Sequence, residues 1–195
     1  MDLGRLLLRG VVGPLFVGHG TQKLFGWFGG HGIEGTGGLF ENLGLRPGKR
    51  HATAAGVAEA GGGVLLTLGA LTPLAQAMLT GTMVTAVRKV HAPKGPWVTE
   101  GGYEYNLVLI ALAAALTETG PGTPSVDRAL FGDRFTGKGW ALAALAAGVA
   151  GSYLVTEKLV EPAPEAAQQQ FGEDDPALSD QPRFEREPVN AEQTA

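Results

Sequence analysis

The chain reads as an all-α protein: an integral membrane four-helix bundle with an additional C-terminal helix and a disordered acidic tail. Three observations point there. Apolar segments of helical length are separated by Pro/Gly turns, and 31 glycines fall largely inside those segments. Gly and Pro are more frequent in membrane helices than in soluble ones, and small residues let such helices approach closely. The third observation is a charge split. Residues 1–160 hold 13 basic and 10 acidic side chains, whereas residues 161–195 hold 2 and 9. The overall net charge of −4 therefore belongs to the tail.

The chain has no cysteine, which excludes a disulfide framework, a Cys-ligated metal or cluster, and a dithiol relay within it. No basic stripe with interleaved aromatics suggests nucleic acid. The length fits one domain with an appendage, divided as residues 1–130 for the four-helix bundle, 131–160 for the fifth helix and 161–195 for the tail.

The first span runs from Leu3 to Phe28, roughly 39 Å at 1.5 Å per residue, enough to cross a bilayer with some tilt. It continues past the usual length of a signal-peptide core and lacks a small-residue cleavage site, so it is expected to be retained. Pro14 lies mid-segment, where membrane helices tolerate it. Trp27 and Phe28 suit a membrane–water interface. Arg5, Arg9, Phe16, His19 and Lys23 fall within roughly an 80° sector of the helix, a stripe expected to face protein. Residues 29–50 are expected to form a Gly-rich loop with a short amphipathic piece, Leu39 to Leu45. The second span is Ala52 to Leu71, with Glu59 as its one charge. Leu74 to about His91 is the third and weakest, diluted by Gln76, Thr80, Thr82 and Thr85. Tyr103 to Thr117 is the fourth. Ser125 can then cap a helix beginning at Val126. Trp140 to about Leu159 is the fifth apolar segment. From Glu161 onward, five prolines, nine acids and few apolar residues leave little to bury. A soluble helical bundle is the rival architecture, favoured by the weak third span.

Alternating helices would place the end of the first, the start of the second, the end of the third and the start of the fourth on one face. His19, Lys23, Glu59, Arg88, His91, Tyr103 and Glu104 then share one half of the bundle. Arg5, Arg9 and Glu118 lie at the other end, the two arginines as interface anchors. Buried cations and carboxylates offset one another's desolvation, so Lys23 with Glu59 and Arg88 with Glu104 are the expected pairs. One reading is a polar clamp that fixes packing, with residues near the ends snorkelling to water. The other is a pocket for a quinone, a small acid or an oxyanion, in which His19 can move a proton near neutral pH. His19 and His91 with Glu59 or Glu104 do not make a metal motif. His31 and His51 read as loop residues. Gly35-Thr36-Gly37-Gly38 is not followed by the Lys-Ser/Thr of a phosphate loop.

The order His19-Gly20-x-Gln22-Lys23-Leu24-Phe25-Gly26, then Phe28-Gly29-Gly30-x-Gly32, resembles the first-helix signature of the DoxX family. Glu59 before glycines, a basic helix end with His91, Gly101-Gly102-Tyr103-Glu104, and Gly120-Pro121-Gly122 leading to Ser125-Val126-Asp127 also fit. The resemblance covers roughly residues 3–130. It implies a multi-pass four-helix bundle in the cytoplasmic (plasma) membrane of a prokaryote, and a link to membrane oxidoreductase complexes that handle quinones, sulfur compounds or oxidative stress. Family membership alone does not establish an enzyme.

Three functions compete. The first is a subunit of a membrane redox complex, with His19 and Glu59 moving protons and Lys23, Arg88, His91, Tyr103 and Glu104 binding substrate. A quinone is the candidate cofactor, and the partners are the lipid bilayer and other redox subunits. The second is a scaffold or assembly factor without chemistry. The third is a small-solute carrier, ranked last because the inverted repeats common in transporters are missing. Basic residues divide five against five between the two ends, so the positive-inside rule assigns no orientation.

Overall fold

The computed structural model describes residues 2–162, and these are all helix, turn and loop with no strand. The expected disordered tail lies outside the described residues but for Glu161 and Pro162. Seven α-helices follow one another: α1 Leu3–Phe25, α2 Gly32–Asn42, α3 Gly48–Leu68, α4 Thr72–Ala86, α5 Glu104–Thr119, α6 Val126–Phe131 and α7 Lys138–Tyr153. Both α4 and α7 run on into a π-helical turn, Val87–His91 and Leu154–Lys158 respectively.

Glycine sets the closest helix pair. α1 and α3 approach until side chains have no room between them. A Cβ on Gly63 would lie 2.6 Å from the Gly13 carbonyl oxygen, and one on Gly20 would lie 2.6 Å from that of Gly56. Phe16 of α1, Leu66 of α3, Ala75 and Leu79 of α4 and Leu116 of α5 form the buried core where the four long helices meet.

The first helix ends at Phe25 and not at Phe28. Gly26 takes a left-handed conformation (φ 72°) and turns the chain into a short 3-10 segment, Trp27–Gly29. The expected loop at 29–50 is a correction: it contains α2. Helix propensity argues against four glycines in eleven residues, but α2 lies along α3. A Cβ on Gly48 would fall 2.6 Å from Glu41 Cγ, and Gly37 is pressed on Lys49. Glu41 also accepts the Gly48 backbone N–H at 3.1 Å. Tertiary contact supplies what propensity withholds.

The fifth helix is no appendage. α7 lies along α4 through small residues: a Cβ on Gly148 would sit 2.7 Å from the Ala77 carbonyl. Gln76 Nε2 donates to the Ala141 carbonyl at 2.9 Å, and Thr85 meets Ser152 at 2.8 Å. Among the described residues, Lys138–Lys158 is the one helix long and apolar enough by itself to cross a membrane. Glycine dilutes α1 and α3, threonine and glutamine dilute α4, and α5 has only 16 residues.

Candidate functional site

The polar stripe of α1 turns toward α3 because the glycine contact brings the two helices together. Lys23 Nζ donates to Glu59 Oε2 at 2.5 Å and approaches the His19 carbonyl at 3.5 Å. The Glu59 side chain is 7% exposed and that of Lys23 is 24% exposed. A carboxylate this deep would be costly alone, and the ammonium offsets that cost. The expected Lys23–Glu59 pair is thus formed.

Three histidines sit near this pair, each tied through one ring nitrogen. His91 Nδ1 lies 2.6 Å from the Gly101 carbonyl, and His51 Nε2 lies 3.2 Å from the Arg46 carbonyl. A carbonyl only accepts, so both ring nitrogens carry the proton. His19 Nδ1 lies 3.1 Å from Gln22 Oε1, while Gln22 Nε2 donates to the Phe28 carbonyl at 3.3 Å. The Phe28 contact orients the amide, so His19 Nδ1 is also the protonated one. Phe28 itself has φ 52°, a left-handed conformation uncommon for an aromatic residue.

His19, Lys23, Glu59 and His91 line one cavity of about 590 Å³. Its remaining walls are mostly apolar: Leu15 and Phe16 of α1, small residues of α3 and α4, and Leu109 of α5. Helix α7 closes another side with Ala147, Gly148, Gly151 and Ser152. His19 is exposed at the rim, whereas His91 is half-buried. Such a space, apolar with a few placed polar groups, is the usual form of a small-molecule site.

Arg88, Tyr103 and Glu104 are not among the residues lining this cavity. The expected Arg88–Glu104 pair is not formed. Arg88 turns instead to the end of α7 and the π-helical turn after it, donating to Thr156 Oγ1 and Glu157 Oε1 at 2.6 Å each and stacking 3.7 Å from the centre of the Tyr153 ring. Glu104 accepts the Val98 backbone N–H at 2.8 Å, closing the loop before α5. Tyr103 is the residue before α5, and Tyr105 and Asn106 are the ones that reach the cavity. The π-helical turn changes the phase of the helix end, so that Lys89 and His91 line the cavity while Arg88 leaves it.

His51, Tyr105, Asn106 and Ser152 are therefore lining residues that sequence reasoning passed over. His51, expected in a loop, is buried in the first turn of α3. A helix start placed at Gly48, after Pro47, would have found it. Nothing local marks Ser152, which depends on how α7 packs. Among the described residues no group of three His, Cys, Asp or Glu side chains could hold a metal ion.

The opposite end of the bundle is built differently. Arg9, expected as an interface anchor, is 1% exposed and donates to the carbonyls of Pro124 and Thr67. Asp127, also 1% exposed, accepts from the Leu71 N–H at 2.7 Å, the Thr72 N–H at 2.8 Å and the Thr72 hydroxyl at 2.7 Å. Its own N–H donates to the Gly69 carbonyl at 2.8 Å. Asp127 thereby caps α4 from another helix, satisfying donors that a helix start leaves open. Ser125 caps α6 by accepting the Arg128 N–H at 3.3 Å, as its position in the sequence implied. At the surface of this end, the Thr123 backbone N–H holds the Asp2 carboxyl below the usual carboxylate range.

The family model described as DoxX matches residues 4–92, from the start of α1 to the end of the π-helical turn after α4. A Bacillus subtilis (strain 168) protein named "Putative oxidoreductase CatD" is 32% identical over 116 residues, spanning 60% of this chain and 80% of that relative. No solved structure matches the chain significantly. DoxX is a family of membrane proteins. On the shared signature, the matched residues and the identity to this relative, the chain belongs to the DoxX family.

Proposed function

We propose that this chain is a multi-pass subunit or accessory of a redox complex in the plasma membrane of a prokaryote, and that its cavity takes a ligand of the quinone class. The observation that carries this reading is the cavity itself, about 590 Å³, apolar on most sides and polar at Lys23, Glu59, His19 and His91. A ring with polar substituents and an apolar chain matches that distribution. The name of the Bacillus subtilis relative adds support for a redox setting.

Support for a membrane setting comes from the outside of the bundle. Leu3, Leu7, Val11 and Leu15 form one stripe of α1, each 52–58% exposed. Exposed aromatics gather at both ends, with Trp27, Phe28 and Trp97 near the cavity and Phe131 and Trp140 near the other end. Contiguous apolar surface of this kind marks contact with lipid or protein, and aromatic belts mark membrane interfaces. We take residues 1–130 as the family bundle and residues 131–160 as a fifth spanning segment.

In this reading Lys23 and Glu59 hold the polar edge of the cavity, and His19 and His91 are the groups placed to exchange a proton with the ligand. The test is extraction of lipophilic molecules from the full chain purified in mild detergent. A quinone-class molecule is expected to co-purify in near-stoichiometric amount. Gly151 lines the cavity and a Cβ there would meet nothing within 4 Å. Gly151→Leu is therefore expected to leave the fold intact and to lower the retained ligand at least tenfold. Retention unchanged in a folded Gly151→Leu variant would remove the cavity from the reading.

One observation favours a second function. The Lys23–Glu59 pair bridges α1 and α3, the closest-packed helices, as a clamp in a non-catalytic scaffold would.

A further inference from the structure

The cavity opens on two sides. Leu15, His19 and Tyr105 line it and are exposed on the side of α1 and α5. On the other side the exposed lining residues are Ala54 of α3 and Ala147 of α7. There α3 and α7 both pack on α4 and scarcely on each other, which leaves a groove with α4 as its floor. Ala58 on one wall and Gly151 and Val155 on the other are half-buried. Met78, Thr82, Thr85 and Lys89 follow one another in steps of three or four along the floor, so they share one face of α4. The hydroxyls of that face are already used. Thr82 Oγ1 donates to the Leu79 carbonyl at 3.0 Å, Thr85 Oγ1 donates to the Gly81 carbonyl at 2.8 Å, and Ser152 Oγ meets Thr85 Oγ1 at 2.8 Å. The floor is thus effectively apolar until it reaches Lys89, which is half-buried and has no carboxylate partner among the described residues.

We infer that this groove binds an anionic phospholipid of one leaflet, its phosphate held by the Lys89 ammonium and one acyl chain laid along α4 between α3 and α7. This rests on the membrane setting proposed above and not on the identity of the molecule beside His19 and Glu59. Depth favours a lipid over a partner helix. From Met78 to Lys89 a helix rises about 16 Å at 1.5 Å per residue, half of a hydrocarbon core roughly 30 Å thick. That is the reach of a chain from one leaflet, whereas a spanning helix needs a groove twice as long. Lys89 also stands at the end of the bundle where Trp27, Phe28 and Trp97 are exposed, the level of a membrane interface. Charge then selects the headgroup. An unpaired ammonium at that level attracts a phosphate that brings no cation of its own.

The experiment places the full chain in phosphatidylcholine nanodiscs with a trace of spin-labelled phosphatidylglycerol or spin-labelled phosphatidylcholine of the same chains. Electron spin resonance reads the fraction of labelled lipid immobilised on the protein. Phosphatidylglycerol is expected to be held about fivefold more tightly, the effect of one interfacial lysine. Lys89→Gln should abolish the preference, and Lys89→Arg should keep it. Lys94→Gln removes an exposed cation outside the cavity and should leave the preference unchanged. A loss there as large as in Lys89→Gln would assign the effect to general surface charge and overturn the inference. Glycerol 3-phosphate, a headgroup without chains, should not displace the labelled lipid, and displacement would overturn the part played by the groove. Equal immobilisation of the two lipids, or a preference that survives Lys89→Gln, overturns the inference and leaves the quinone-class reading standing. Dimers that exclude the labelled lipid would do the same, by giving the groove to a second copy. A chain that does not enter the nanodiscs overturns both.

Discussion

Both ends of the bundle hold polar groups among apolar helices, and they use them in opposite ways. At the end formed by the start of α4 and by α6, Asp127 accepts three hydrogen bonds from α4 and Arg9 donates to two backbone carbonyls. Partners there are supplied by the protein itself. At the cavity end, the Lys23–Glu59 pair is internal, but His19 and His91 each leave one ring nitrogen without a partner among the described residues, beside the cavity. Saturated polar groups lock a fold, because removing any one leaves the others unpaired. Unsaturated ones are available to a ligand. Backbone geometry follows the same division: the α4 start is capped, whereas the α4 end loosens into a π-helical turn, a feature frequent at functional sites.

Breaking the locked end should have the largest effect. Asp127→Ala strips the caps from Leu71 and Thr72 and is expected to lower stability by roughly 3–5 kcal/mol, as loss of a buried charged partner does. Thermal unfolding in detergent measures this, and a change below about 1 kcal/mol would mean the two ends do not differ as argued. At the cavity end, Lys23→Met alone or Glu59→Leu alone is expected to cost about 3 kcal/mol, since each leaves an uncompensated buried group. The double replacement should recover most of that loss. If the recovered fold also keeps cellular function, the scaffold reading gains over the ligand site; if function is lost with the fold intact, the scaffold reading fails.

The smallest effect lies at the surface of the locked end. Asp2 has its carboxyl more acidic in the folded chain than in the unfolded one. As pH falls, the unfolded chain therefore takes up this proton first. The contact's contribution is complete above the ordinary carboxylate range and is lost as pH falls through the lowered Asp2 value. Asp2→Asn should flatten that part of the acid-side melting profile slightly and leave the neutral-pH ligand site alone.

Much of this contrast was legible in the residues. Lys23 and Glu59 are isolated charges in apolar segments, and isolated buried charges seek each other, so their pairing followed from helix order. Gly56 and Gly63 similarly announced close helix contact. Arg88 was not legible, because its direction depends on a π-helical turn and on the end of α7 with the turn after it, where Tyr153, Thr156 and Glu157 supply better partners than Glu104. Nor was α2, whose glycines disfavour a helix until α3 lies beneath it. Arg9 looked like an interface anchor because snorkelling is the ordinary fate of an arginine near a helix end.

By itself the sequence determined that the chain is helical, where its long helices run, and that one half of the bundle collects the charged and imidazole groups. Those follow from local periodicity and alternation, which act over a few residues. Tertiary structure alone decided which of those groups face the cavity, which are consumed in packing, and that α7 walls the site. Hydrogen bonds between distant segments settle these questions, as Asp127 to Leu71 and Thr72 and Arg88 to Thr156 do. No local pattern encodes which donor a given acceptor will meet.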